Sequence, residues 1–441
     1  MTRISTPARP YSSRLKAVPA ALLGLLGCSL AQAAGFQLLE QNASGIANAY
    51  AGSAAATDNA STIFFNPAGM TELRDREVSL GGSVVDISAK FRDNGSQVGA
   101  LAAAGNGGNA GTTNFVPNAY LSWKLSPQLW AGIGVSAPFG LKTEYGNPWV
   151  GGAHALHFDV KTININPSLA FKVNDTLSLG AGVSYQLLDA DYLRLASVAT
   201  PGLAASTVSF KADDWSLGWN VGLLYKPSPD TRVGLSYRSA IKHTVSGDLK
   251  AGGLAGGVLA PAVNGPAYAR IKLPDTVLLS LAQRVNPQWE LLGDLSWTGW
   301  DSIQDVDIRR SGPTAANPDA ANGPPAQTLK ANFRNSWRMA LGANYTLDSA
   351  WTLKGGLAYD RTPVRGPSTT LVSLPDGNRL WLTAGAQWRL SPDSRIDFGV
   401  AYIRVKDPKI DNDEVALGRG RVTGSYDNRI WILGAQYSQS F

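Results

Sequence analysis

The chain has 441 residues and one cysteine, with 39 Lys and Arg against 33 Asp and Glu, a formal charge of +6. One cysteine excludes a disulfide framework, and no basic block is large enough to argue for nucleic acid. Beyond the amino terminus no uninterrupted apolar stretch is long enough for a bilayer-crossing helix, which excludes a helical membrane protein.

In chain order, the first predicted element is a secretory leader over 1–33. Arg3, Arg9, Arg14 and Lys16 form a basic stretch, 17–30 is apolar, and Ala31-Gln32-Ala33 is a small-residue cleavage pattern. Cys28 reads as an ordinary residue of the apolar run; a lipid-modified cysteine after Leu25-Leu26-Gly27 is the rival. Removing the leader takes away the cysteine and four basic charges, so the balance falls to 39 − 4 − 33 = +2. An exported, nearly neutral chain without cysteine fits an envelope protein, and a closed barrel satisfies its backbone between strands without crosslinks.

Residues 34–77 lack strand alternation and are rich in Ala, Ser and Asn. They are expected to fold as short helices and turns that plug a barrel lumen. A disordered periplasmic tail is the alternative, but Phe36, Leu38, Leu39, Ile46, Tyr50, Ile63, Phe64 and Phe65 supply more apolar material than disorder usually has.

From residue 78 to the end, segments of period two recur. Leu177, Leu179, Ala181, Val183 and Tyr185 alternate with Ser178, Gly180, Gly182 and Ser184; Met339 to Tyr345 and Leu380 to Leu390 behave alike. Small, polar partner positions suit a water-accessible or ligand-lined interior. Six tight turns, at Ser126-Pro127, Asn174-Asp175, Pro227 to Asp230, Asn286-Pro287, Asp348-Ser349 and Ser391 to Asp393, alternate with long connections around 93–111, 250–266 and 311–325. Six turns join twelve strands, and one more at each end predicts an all-β transmembrane antiparallel barrel of about 14 strands over 78–441 with both termini periplasmic. Thirteen Trp and fourteen Tyr fit aromatic girdles at the two bilayer interfaces. The last strand alternates Trp431, Leu433, Ala435 and Tyr437 with Gly434, Gln436, Ser438 and Ser440, and ends on Phe441.

The ordered series of landmarks resembles the long-chain fatty acid transporter (FadL) family of outer-membrane proteins and its aromatic-hydrocarbon uptake relatives. It begins with Ala34-Gly35-Phe36-Gln37-Leu38, passes through Asn66-Pro67-Ala68 and the run Phe139 to Tyr145, and continues with Leu273-Pro274-Asp275, Asn286-Pro287-Gln288-Trp289, Trp297 to Trp300, Leu374-Pro375-Asp376 and Arg379-Leu380-Trp381-Leu382. The resemblance implies a monomeric 14-stranded barrel in the outer membrane, with Asn66, Pro67 and Ala68 as its hatch motif. It also implies passive uptake of hydrophobic compounds, long-chain fatty acids foremost, by binding in the barrel, hatch displacement and sideways release; the alternative keeps the fold for monoaromatic or other hydrocarbons. A lateral opening needs a break in strand pairing, and Gly132, Gly134, Pro138 and Gly140 are the candidates. By resemblance Phe36 and Leu38 reach into the ligand pocket and Arg194 meets the fatty acid carboxylate. Where the family has a second lysine this chain has Asp307, with Arg309 and Arg310 nearby, a departure that bears on the carboxylate site.

No cofactor, metal or enzymatic reaction is implied. His154 and His157 read as a loop or lumen pair without metal. His243 lacks a recognisable nucleophile, and Asp213, Asp214, Asp301, Asp305 and Asp307 read as rim or loop charges. A polar-solute porin and a barrel hydrolase are the competing classes. The expected partners are the hydrophobic ligand, outer-membrane lipids with lipopolysaccharide, and the barrel-assembly machinery.

Overall fold

The computed structural model of the protein describes residues 35–441; the expected leader, Cys28 included, lies outside them. Twenty strand segments form one continuous sheet. Six spanning strands consist of two consecutive pieces, so 20 − 6 = 14 antiparallel strands circle the barrel. The first seven are β1 (Arg76–Asp93), β2 (Thr113–Ser126), β3 (Leu129–Ser136 with Gly140–Glu144), β4 (His157–Lys172), β5 (Leu177–Leu195), β6 (Ser206–Ser228) and β7 (Thr231–Arg238 with Ile241–Gly253). Then follow β8 (Gly265–Leu273 with Thr276–Arg284), β9 (Trp289–Thr298 with Asp305–Arg310), β10 (Gln327–Lys330 with Ser336–Thr346), β11 (Trp351–Asp360), β12 (Arg379–Arg389), β13 (Ser394–Val405 with Lys409–Glu414) and β14 (Gly420–Ser440). A ladder from Glu77↔Ser440 to Asp93↔Gly424 joins β14 to β1, so the sheet closes on itself.

All six tight turns fall where the sequence placed them, and their side chains make them. Asn174 Oδ1 accepts from the backbone nitrogens of Thr176 and Leu177, both at 2.9 Å, and Asn286 Oδ1 does the same for Gln288 and Trp289 at 2.9 Å. At the opposite end the second long connection is shorter than expected, because β7 runs on to Gly253 and β8 starts at Gly265.

Alternation sorts side chains between lipid and lumen. In β14, Trp431 and Leu433 face outward and are exposed, whereas Ile432, Gln436 and Ser438 are buried. Outward aromatic pairs mark two belts: Trp289–Tyr345 (4.8 Å) and Trp351–Trp388 (5.6 Å) beside the tight turns, Tyr402–Trp431 (4.8 Å) and Tyr185–Trp215 (4.5 Å) toward the long loops.

Residues 35–75 pack inside the barrel as short turns of helix: α1 (Ala43–Ile46), a 3-10 turn at Ser53–Ala55, α2 (Thr62–Phe65) and a 3-10 helix at Pro67–Glu72. Asn42 caps the first by accepting from Gly45 N at 2.9 Å. Asn66 caps the last by accepting from Ala68 N at 3.1 Å, with Pro67 at the first helical position, where no N–H is needed. The small lumenal positions of the strands, expected to face water or ligand, instead make room for this hatch. A Cβ on Gly222 of β6 would stand 1.9 Å from Asn66 Oδ1, on Gly180 of β5 2.3 Å from Ala68 N, on Gly234 of β7 2.0 Å from Ala54 O, and on Gly356 of β11 2.3 Å from Asn48 C. Larger side chains there would push the hatch off the wall.

Candidate functional site

The wall is incomplete between β2 and β3. Their ladder ends at Ala119↔Val135, and after Ser136 the chain of β3 leaves its ladders at Ala137 and Pro138, with Phe139 bonded only to Thr162 on the β4 side of the wall. Its second piece, Gly140–Glu144, pairs with β4 from Gly140↔Lys161 to Glu144↔His157 and has no ladder to β2. Pro138 supplies no amide hydrogen for such a ladder, and a proline in a strand is tolerated where pairing is already broken. The upper edge of β2 borders this gap, with Phe115 65% exposed and both polar atoms of the buried Asn118 side chain unpartnered among the described residues.

Of the four residues proposed for a lateral opening, Pro138 lies in the break and Gly140 directly follows it. Gly132 and Gly134 do not: they stay laddered to Ser122 and Tyr120. Gly132 serves the hatch, since a Cβ there would come 2.5 Å from Met70 Sδ.

The amino-terminal segment is stitched into the break. Leu38 N donates to Pro138 O at 2.8 Å and Gly140 N donates to Phe36 O at 3.0 Å, which flank an antiparallel bridge between Gln37 and Phe139. Gln41 continues the seam: its Nε2 donates to Ala137 O at 2.8 Å and its Oε1 accepts from Ala137 N at 3.2 Å, while Tyr120 Oη donates to Gln41 O at 2.8 Å. Backbone groups that β2 would have satisfied are thus satisfied by the hatch.

Phe36 packs between Phe139 and Trp300, with ring centroids at 5.8 and 5.1 Å, and Trp300 in turn meets Phe333 at 5.9 Å. These rings form the floor of an apolar cluster that fills the loop end of the barrel and includes Tyr145, Trp149, Leu188, Leu195 and Ile308. Gly35 is held at both ends of its peptide, its nitrogen donating to Asp376 Oδ2 at 2.9 Å and its oxygen accepting from Arg379 Nη2 at 2.6 Å. Asp376 and Arg379 are themselves paired at 2.9 Å.

Beside the segment lies a cavity of about 120 Å³ lined by Phe36, Leu38, Phe64, Leu278 and Trp381, with three carboxylates, Glu40, Asp294 and Asp360, and three guanidinium groups, Arg238, Arg338 and Arg379. Burial pushes the Glu40 carboxyl above its ordinary value, against the attraction of Arg379 and Arg338 and of backbone N–H groups. A second cavity of about 770 Å³ opens on the turn side and is lined by Asp230, Arg232, Arg284 and Lys354. Tyr50, Ser53 and Phe65 of the hatch line both, so a layer of hatch side chains separates them.

Phe36 and Leu38 line this cavity, and Arg194 is not among the residues that line it. Arg194 is buried in β5 near the loops, where Nε donates to Gln327 Oε1 at 2.9 Å and Nη1 to Leu195 O and Ala196 O at 2.8 and 3.0 Å. Asp307 is tied to Arg309 at 2.8 Å and accepts from Thr328 at 2.6 Å. Asn66 spans hatch and wall, donating to Ala54 O at 2.7 Å and Leu223 O at 2.9 Å. His154 and His157 face different partners, Gly420 O at 3.2 Å and Asp191 at 3.9 Å, and His243 lies 3.0 Å from Asp214. Sequence reasoning missed the Asp376–Arg379 clamp and the lumenal Arg238 and Arg338. Charged residues at inward positions of strands otherwise apolar or small were the available signal.

A closed 14-stranded barrel with lipid-facing apolar and aromatic residues, a folded plug and a stitched gap in its wall defines an outer-membrane transport protein with an internal hatch. Residues 24–441 match the family described as outer membrane protein transport protein (OMPP1/FadL/TodX), and the chain belongs to it. It is 30% identical to a long-chain fatty acid transport protein of Escherichia coli O6:H1, over 93% of this chain and 95% of that one. Outer membrane protein P1 of Haemophilus influenzae is 29% identical over 87% and 88% of the two chains. The crystal structure of a Pseudomonas aeruginosa FadL homologue shares the fold with a TM-score of 0.83 at 24% identity, covering 92% of this chain and all (100%) of that one. The Ralstonia pickettii toluene transporter TbuX shares it at 0.65 and 19%, over 91% and 98% of the chains.

Proposed function

We propose that this protein carries hydrophobic molecules, long-chain fatty acids foremost, passively across the outer membrane, without catalysis and without a cofactor. The observation that carries the reading is the seam between residues 35–41 and the break in β3. The segment that lines the pocket with Phe36 and Leu38 is the same one that closes the wall at Pro138. A ligand that displaces Phe36 and Leu38 pulls on the backbone bonds to Pro138 and Gly140, so occupancy and opening are coupled through one short peptide. Sideways release suits the cargo, because an acyl chain forced through water forfeits roughly 0.8 kcal/mol of burial per CH₂. The fatty acid reading also draws on the relatives named as long-chain fatty acid transport proteins. Phe36, Leu38 and Arg194 are the proposed ligand contacts, Asn66, Pro67 and Ala68 the hatch motif, and Pro138 with Gly140 the opening.

A second reading, uptake of neutral hydrocarbons, is favoured by the engagement of Arg194 with Gln327 and two carbonyls, which leaves its charge partly satisfied without a carboxylate. Binding of radiolabelled oleate to the purified protein, with competition by oleate, its methyl ester and toluene, separates the two. Competition by oleate alone, weakened in Arg194→Ala, supports the carboxylate site. Equal competition by ester and toluene assigns the pocket to hydrocarbons, and no saturable binding of any of them overturns both.

A further inference from the structure

On the lipid-facing side of the barrel, Arg404 of β13 and Arg429 of β14 stand directly opposite each other in the ladder, both exposed. They lie two residues beyond the Tyr402–Trp431 pair, roughly 7 Å toward the loops. Like charges at opposed positions of a sheet repel, so this arrangement calls for an anion. Arg404 has Asp407 at 3.4 Å, but Arg429 forms no ion pair among the described residues. Neighbouring β1 adds Lys90 and Arg92 on the same outward face, Arg92 lying 3.8 Å from Asp427, and Lys406 follows the first piece of β13.

Five cations thus meet three carboxylates on this flank, Asp407, Asp427 and Asp86 of β1, and Lys90, Lys406 and Arg429 are left unpaired among the described residues. The same height on β4 to β6 differs: Lys161 is 2.9 Å from Asp159 and Lys211 is 2.6 Å from Asp191, with Asp189 and Asp213 also facing outward. The cations of β4 to β6 are thus matched, whereas β13, β14 and β1 carry an excess of positive charge just beyond the aromatic belt, as does the opposed pair Lys242 and Lys272 between β7 and β8. In an outer membrane that is the depth of the glycolipid phosphates of the outer leaflet.

We propose that β13, β14 and β1 form a binding site for the phosphorylated disaccharide headgroup of lipopolysaccharide, with a phosphate between Arg404 and Arg429 and Lys90 beside it. Guanidinium forks match phosphate oxygens, and a membrane surface excludes competing water better than bulk solvent does. A bound glycolipid would fix the barrel's azimuth in the leaflet and occupy the flank that begins at β1, next to the gap between β2 and β3.

The test is native mass spectrometry of the purified barrel titrated with lipid A carrying both phosphates or enzymatically dephosphorylated. The wild-type protein is expected to prefer the phosphorylated form by about tenfold or more. The preference should vanish in the double variant Arg404→Gln with Arg429→Gln and persist in Lys161→Gln on the opposite flank. Heat-modifiable migration reports whether each variant is folded, and the single variant Arg429→Gln carries the test if the double one is not. Equal binding of both lipids by the wild type, a retained preference in the folded variants, or an equal loss in Lys161→Gln would overturn the proposal.

Discussion

The backbone nitrogen of Gly35 donates to Asp376 Oδ2 at 2.9 Å, a bond across 341 residues that ties the start of the hatch to the approach to β12. Asp376 is buried, and it also pairs with Arg379 at 2.9 Å and accepts from Thr362 Oγ1 at 2.7 Å, so its oxygens are fixed before the segment docks. Replacing Asp376 with Ala removes a charge-assisted bond and leaves Arg379 without its partner. The expected cost is about 1.5–3 kcal/mol of docking free energy. Hydrogen exchange of residues 35–41 should accelerate at least about tenfold, with the strand amides of β5 and β6 unchanged.

The layer between the two cavities is thin. Tyr50 and Phe65 meet at 5.8 Å and line both the 120 Å³ pocket and the 770 Å³ vestibule. Truncating both to Ala should join the two spaces and raise single-channel ion conductance in planar bilayers above the near-closed wild type. Unchanged conductance would mean that deeper hatch contacts, not these rings, form the barrier.

Gly222→Val tests the docking of the hatch motif from the wall side. Its Cβ position is 1.9 Å from Asn66 Oδ1, part of a side chain that already bonds Ala54 O and Leu223 O. No rotamer of Val avoids that clash, so Asn66 must leave; overpacking of this kind costs typically about 1–3 kcal/mol. Limited proteolysis should then cut within residues 60–72 while the barrel stays intact.

Glu40 gives the hatch a pH dependence. Burial raises its pKa in the folded state above the ordinary 4.5, so the docked hatch binds a proton that the undocked one releases. Docking is therefore unpenalised below about 4.5 and weakens as pH rises from there toward the raised value. Arg338 and Arg379 oppose the shift without reversing it. Hatch protection factors measured from about pH 4 to about pH 8 should fall in the wild type and fall less steeply in Glu40→Gln, where Asp294, which accepts from Ser53 of the hatch at 3.2 Å, and Asp360 still line the cavity. A rise with pH would contradict the burial argument.

The strand count and the turns were legible because both rest on short-range rules. Period two separates lipid from lumen, and Asn174, Asn286 and Asp348 each accept from backbone nitrogens two and three residues on. Short helices and turns ahead of the first strand were legible, from apolar content without alternation. Their docking was not, since Asn66 with Leu223 and Gly35 with Asp376 are contacts of 157 and 341 residues' separation. For the same reason Gly132 and Gly134 read as strand breakers, whereas Gly132 clears space for Met70 and the actual break follows Ser136. Arg194, carried over by resemblance, lies among the loops rather than beside Phe36, because β5 extends to Leu195, well past the pocket.

The central claim is that residues 35–41 must leave the break in β3 for cargo to pass. Gln37 and Phe139 face each other as an antiparallel bridge flanked by the bonds of Leu38 and Gly140. Such a non-hydrogen-bonded pair places its Cα atoms about 4.5 Å apart, within reach of a disulfide. The decisive measurement is oleate uptake by cells carrying Gln37→Cys with Phe139→Cys, oxidised and then reduced. Uptake should stop in the oxidised protein and return on reduction; transport at the reduced rate with the crosslink intact would contradict the account.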